Sequence, residues 1–163
     1  MILVVMGVTG SGKTTIAEGL AAKLGWKFLD ADDFHSTANK EKMHAGIHLT
    51  DEDRIPWLDA MHEAMKKLNA EGKSAVLACS ALREWYRERL DKDLPVRIVY
   101  LKGSREVIAK RIEERKHHFA GVSILDDQFA TLEEPTNAIT VDVDQEPDAI
   151  VSEVLAKVEA ERC

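Results

Sequence analysis

The sequence predicts an α/β fold, a five-stranded parallel sheet with helices on both faces. Three observations carry that expectation. Strand-like runs recur at residues 2–6, 26–30, 74–79, 96–101 and 138–143, each of a length that suits a strand buried in a sheet. Stretches with helical spacing of apolar residues separate them, and that alternation is what a parallel sheet requires. The first run leads directly into Gly7-Val8-Thr9-Gly10-Ser11-Gly12-Lys13-Thr14, which meets G-x-x-x-x-G-K-[ST] at every required position.

That octapeptide places the chain among P-loop NTPases. Its glycines let the backbone curl so that successive N–H groups point inward, and the helix that follows adds the positive end of its dipole. The loop Gly7, Val8, Thr9, Gly10, Ser11, Gly12 is therefore expected to cradle the phosphates of ATP, with Lys13 reaching the β- and γ-phosphates. Thr14 is expected to ligate Mg²⁺ through its hydroxyl, and Thr15 is a further candidate for a phosphate contact.

The following helix carries Ile16, Leu20 and Leu24 at helical spacing and stops at Gly25. The second strand ends in Asp30, Asp32 and Asp33, and in parallel α/β sheets the ligand crevice lies beyond such strand ends. From about 33 to 56 the chain is polar and interrupted, with a short helix expected near 39–44; this stretch reads as a segment covering the substrate. Thr50 and Asp53 form a capping box opening a helix through Trp57, Leu58, Met61, Met65 and Leu68 to Gly72. The third strand leads through Ser80 and Ala81 to a helix expected over 82–90, with Arg83 at its mouth. After the fourth strand, Ser104 caps a helix with Val107, Ile108 and Ile112, ending in the basic run Arg111 to His118. A helix from near 123 to 132, the fifth strand and a helix from about 147 to 161 close the chain.

The 163 residues suit one domain, which at this size buries roughly 70% of the surface of the unfolded chain. With 45% hydrophobic and 31% charged residues, and no apolar run long enough to span a bilayer, no membrane association is expected. Met1 runs straight into a core strand without a basic leader, which points to the cytoplasm. A net charge of −7 argues against general affinity for nucleic acid, since phosphate backbones would be repelled. Cys79 and Cys163 have no metal-ligand partners at useful spacing, and a disulfide between them has no support in a reducing compartment.

A phosphate loop serves kinases, switches and mechanical ATPases alike, so the acceptor must be read from its surroundings. Phosphoryl transfer to a hydroxyl needs a group that orients or deprotonates the acceptor, and Asp32 is placed to do it. Asp30 could hold Mg²⁺ through water. Arg111 and Arg115, four apart on one helix face, supply charge for a lid over about 114–122, with Arg115 reaching the triphosphate and Arg111 nearer the adenine, the latter by analogy with kinases of the same spacing. No Asn-Lys-x-Asp guanine-reading motif occurs, which disfavours a GTP switch.

Residues 28–35, Asn39 to Met43, Gly46, Leu49 to Arg54, Pro56 to Leu58, Cys79 to Arg83, Tyr100 to Gly103, His118-Phe119 and Gln128 to Pro135 together resemble the gluconokinase family in order and spacing. The resemblance implies a nucleoside-monophosphate-kinase-like fold with a lid, a homodimer, and ATP-dependent phosphorylation of D-gluconate at its 6-hydroxyl. Carried over by position, it implies that Asp32 orients the sugar hydroxyl and makes His35, Lys42, Arg54, Arg83 and His118 candidates for substrate contacts. Ser36 and His48 stand where the family pattern has proline, both inside the substrate segment. The alternatives are a related kinase of another small hydroxy acid such as shikimate, or a nucleotide-binding protein without an acceptor.

Overall fold

The structure, a computed structural model, describes residues 1–114 and 121–162. Five parallel strands, β1 (Ile2–Met6), β2 (Lys27–Asp30), β3 (Ala75–Ala78), β4 (Val96–Lys102) and β5 (Ile139–Asp142), lie in the order β2-β3-β1-β4-β5. Among the described residues seven α-helices connect and cover them: α1 (Lys13–Leu24), α2 (Thr37–His44), α3 (Asp51–Ala70), α4 (Glu84–Asp91), α5 (Arg105–Glu114), α6 (Gly121–Thr131) and α7 (Pro147–Arg162). All five residues of β1 are buried because its two faces feed two cores. Leu3 and Val5 pack with Ile16, Leu20, Ile108, Ile112 and Val154 beneath α1, α5 and α7. Ile2, Val4 and Met6 pack with Leu58, Met61, Met65 and Leu90 beneath α3 and α4. This two-sided burial is why the strand reads as an unbroken apolar run rather than an alternating one.

The expected elements are present, with shifted edges. The helix expected over 82–90 runs Glu84–Asp91, because the Leu82 carbonyl accepts the Glu133 N–H (2.8 Å) and Arg83 keeps an extended backbone as the residue before the helix. Ala81, buried at φ +45°, turns the chain there. The carboxylates after β2 sit on a single 3₁₀ turn, Ala31–Phe34, capped by Asp30, whose Oδ1 accepts the Asp32 N–H (2.9 Å). The segment from 33 to 56 holds α2 and the start of α3. Ser36 caps α2 by accepting the Asn39 N–H (3.1 Å), so the serine standing in place of the family's proline supplies a helix cap. The Thr50/Asp53 capping box opens α3 with both of its bonds made.

β1 lies at the centre of the sheet, between β3 and β4, and the chain leaves it for β2 on one side before returning. That crossover opens a crevice beyond the carboxyl ends of β1, β2 and β3.

Candidate active site

The phosphate loop follows β1 into that crevice. Gly10 (φ +77°) packs so closely on α5 that a Cβ would lie 2.7 Å from Ile112 Cγ1, while Gly12 (φ +93°) caps α1 in a left-handed conformation with open space where a Cβ would be. Both positions therefore require glycine. The Lys13 Nζ donates to the Val8 carbonyl (3.1 Å), which bends the side chain back over the loop and leaves two N–H donors. Burial pushes the Lys13 ammonium pKa down, while the neighbouring Cys79, Asp32 and Asp30 pull it back up. Cys79 itself is buried, and its thiol is pushed up to about 12.

A cleft of about 610 Å³ opens in front of the loop, within the range of small-molecule sites. Thr9, Gly10, Gly12, Lys13, Thr14 and Thr15 line its floor, and Asp30, Asp32, His35, Arg54 and Trp57 line its wall. Asp32 is exposed to this space. The His35 ring stacks on Trp57 (centroids 4.3 Å apart, 9° between planes), and the Trp57 indole donates to the Ala31 carbonyl (2.7 Å). Asn39 Nδ2 donates to the Asp53 carbonyl (2.9 Å) and meets His35 Nδ1 at 3.4 Å, which makes Nδ1 the acceptor and leaves the ring proton on Nε2. Burial pushes the His35 pKa down; Asp32 opposes, while Arg54 and Lys40 reinforce it. Arg54 Nη1 donates to the Leu49 carbonyl (2.7 Å), and its guanidinium carbon lies 5.6 Å from the Tyr86 ring centroid, fixing the planar fork at the cleft edge.

Thr14 and Asp30 put two hard oxygen donors on the same cleft, and Asp30 keeps one carboxylate oxygen free of its capping bond. Among the described residues no group of three or more His, Cys, Asp or Glu could hold a metal ion. The donor set therefore suits an Mg²⁺ whose remaining ligands are phosphate oxygens and water.

A family model described as an AAA domain matches residues 2–135. The gluconokinase of Gluconobacter oxydans is 45% identical, the alignment spanning 98% of this chain and 92% of that one. The thermoresistant gluconokinase of Escherichia coli is 40% identical, spanning 94% and 91%. The chain belongs to the gluconokinase family. A crystal structure of a gluconokinase from Sinorhizobium meliloti superposes with a TM-score of 0.88 at 40% identity, covering 97% of this chain and 91% of that one. The α/β P-loop kinase architecture and the gluconokinase resemblance read from the sequence thus both hold.

Within this gluconokinase cleft Thr9, Gly10, Gly12, Lys13, Thr14, Thr15, Asp30, Asp32, His35 and Arg54 come together, whereas Gly7, Val8 and Ser11 of the loop do not line it, and Lys42, Arg83 and Arg111 stand elsewhere. Lys42 is bound by both Asp53 carboxylate oxygens (2.9 and 3.0 Å) and joins α2 to the start of α3 instead of lining the cleft. Arg83 precedes α4 and does not line it either. Arg111 donates through Nη2 to the Val143 carbonyl and to the Gln145 carbonyl (3.2 Å), binding α5 to the loop after β5. Arg115 and His118, with most of the expected lid, lie outside the described residues. Sequence reasoning passed over Tyr86 as the platform for Arg54, and over the buried Arg87. Arg87 donates to the Ala81 (2.7 Å) and Glu133 (2.8 Å) carbonyls and so holds the left-handed turn beside the cleft. Neither residue carries a motif signal, because each acts through a backbone carbonyl or a ring face.

Proposed function

We infer that the cleft transfers the γ-phosphoryl group of ATP to the 6-hydroxyl of D-gluconate, giving 6-phosphogluconate and ADP. The observation that carries the reading is that a complete phosphate loop, an exposed Asp32 and the Arg54 fork all open on one cleft in a gluconokinase-family chain. Lys13 and the loop N–H groups hold the phosphates and take up charge that develops on the transferring group. Asp32 orients the acceptor hydroxyl and receives its proton as the new O–P bond forms and the bond to the β-phosphate oxygen breaks. Thr14 and, through water, Asp30 would hold an Mg²⁺, which would supply charge neutralisation for the phosphates. Arg54 meets the gluconate carboxylate, and the His35 Nε2–H meets a polyol oxygen. The single domain closes over the substrates through the 114–122 lid, with Arg115 on the triphosphate and His118 beside the sugar. The enzyme works as a cytoplasmic homodimer. Among the described residues no helix is long and apolar enough to cross a membrane.

The test is a coupled ADP-release assay over sugar acids and shikimate, with ADP binding measured alongside. Gluconate is expected to be the preferred acceptor. Lys13→Ala is expected to weaken ADP binding and transfer together, and Asp32→Ala to cut kcat by at least about 100-fold with ADP binding nearly intact. Wild-type kcat in Asp32→Ala would remove Asp32 from the chemistry.

A further inference from the structure

In the cleft that Asp32 also lines, α6 presents Gln128 to the phosphate loop. Its Oε1 accepts the backbone N–H of Thr9 (2.5 Å), a contact across 119 residues of sequence. A backbone N–H can only donate, so the carboxamide oxygen faces the loop and the orientation of the amide follows from chemistry. Nε2 then carries two N–H donors, and neither has a partner among the described residues. Gln128 is half-buried and lines the same cleft as Asp32, Lys13 and Arg54. The helix beneath it is firmly seated. Leu125 is fully buried in the core, Asp126 holds Arg105 through both oxygens (2.5 and 3.1 Å), and the chain just beyond is fixed by the Glu133 N–H bond to Leu82. An amide held at its oxygen, with its nitrogen left without a protein partner among the described residues, presents two oriented donors that water or a bound acceptor can meet. The molecules that enter this cleft are rich in oxygens.

We propose that Gln128 is a substrate-contacting residue, donating from its carboxamide nitrogen to an oxygen of the acceptor while Thr9 holds the carboxamide in place. This rests on the acceptor kinase reading above, and the experiment separates the two. Wild type, Gln128→Met and Gln128→Glu are compared for gluconate phosphorylation, for ATP hydrolysis without acceptor, for ADP affinity and for Tm. Methionine keeps length and packing but has no amide. Gln128→Met should lower kcat/KM for gluconate about 10- to 100-fold, the value of a hydrogen bond to substrate, a clearly larger factor than any loss in acceptor-free hydrolysis or ADP affinity that follows from the missing Thr9 bond. Gln128→Glu keeps an oxygen for the Thr9 N–H and removes the donors, so it should not recover transfer. Wild-type transfer in either variant overturns the proposal. So does a Gln128→Met loss matched by an equal loss of ADP affinity and Tm, which would make Gln128 a tie for the loop alone. A wild-type enzyme inactive on gluconate would instead overturn the activity reading, and acceptor-free hydrolysis and ADP binding would still show whether the loop is intact.

Discussion

In the function proposed above, Arg54 is the residue on which substrate discrimination turns. It follows three acids at the start of α3, a place where an isolated surface arginine gains little beyond local charge pairing. The structure gives it a bond to the Leu49 carbonyl and a seat at the Tyr86 ring, so its remaining donors are fixed at the cleft. A bidentate pair with a carboxylate in such a place contributes roughly 2–3 kcal/mol, or about 30- to over 100-fold in kcat/KM. Arg54→Ala is expected to lose that factor on gluconate and to lose discrimination against an uncharged hexitol. Arg54→Lys should not restore it, because a point charge cannot reproduce the planar fork. Steady-state kinetics on both acceptors check this, and an equal loss on both would assign Arg54 to folding of the α3 start. The His48 position has a milder consequence. Its imidazole lies 3.9 Å from Asp127 with both side chains largely exposed, and exposed pairs of this kind contribute little.

Asp53 governs how α2 and α3 are joined. Its side chain accepts the Thr50 N–H (3.0 Å) and holds Lys42, while its carbonyl accepts from Asn39. The Thr50 hydrogen bond, with Lys42 adding to it, holds the Asp53 pKa below the usual carboxylate range. The unfolded chain then binds the proton at a higher pH than the folded one. The stabilisation is therefore complete above the ordinary carboxylate range and is lost as pH falls through the lowered folded value. Asp53→Asn is expected to lower Tm near neutrality, with the difference from wild type shrinking in acid; a gap independent of pH would refute the link. The capping box behind this junction was legible in the sequence, since Thr50 and Asp53 stand three apart before an apolar period. The strands and the phosphate loop were legible for the same reason, each being a local pattern. Gln128 meeting Thr9, and Arg87 meeting Ala81 and Glu133, could not be seen, because they depend on which elements the sheet order makes neighbours. Lys42 shows the converse: a basic residue in a substrate segment looks like a ligand until its carboxylate partner eleven residues on is in place.

At the scale of the whole molecule, the two cores on either face of the sheet hold the strand ends still, so that a loop and a turn distant in sequence meet in one cleft. Cys79 sits where β3 reaches that cleft, and only 1% of its surface is exposed. A thiol buried this way with its pKa at about 12 holds almost no thiolate at neutral pH, and the thiolate is the reactive form. Cys79 thereby becomes a clock for opening of the sheet. In a Cys163→Ser background, alkylation of the native protein should proceed only as fast as the strands separate, and saturating ADP, by favouring the folded state, should slow it by about 100-fold at a ligand concentration 100 times Kd. Labelling at the rate of a free cysteine would mean that the floor of the cleft opens without unfolding. If the slow rate holds, Cys79 would stay reduced under oxidants that consume an exposed, low-pKa thiol at a nucleotide site.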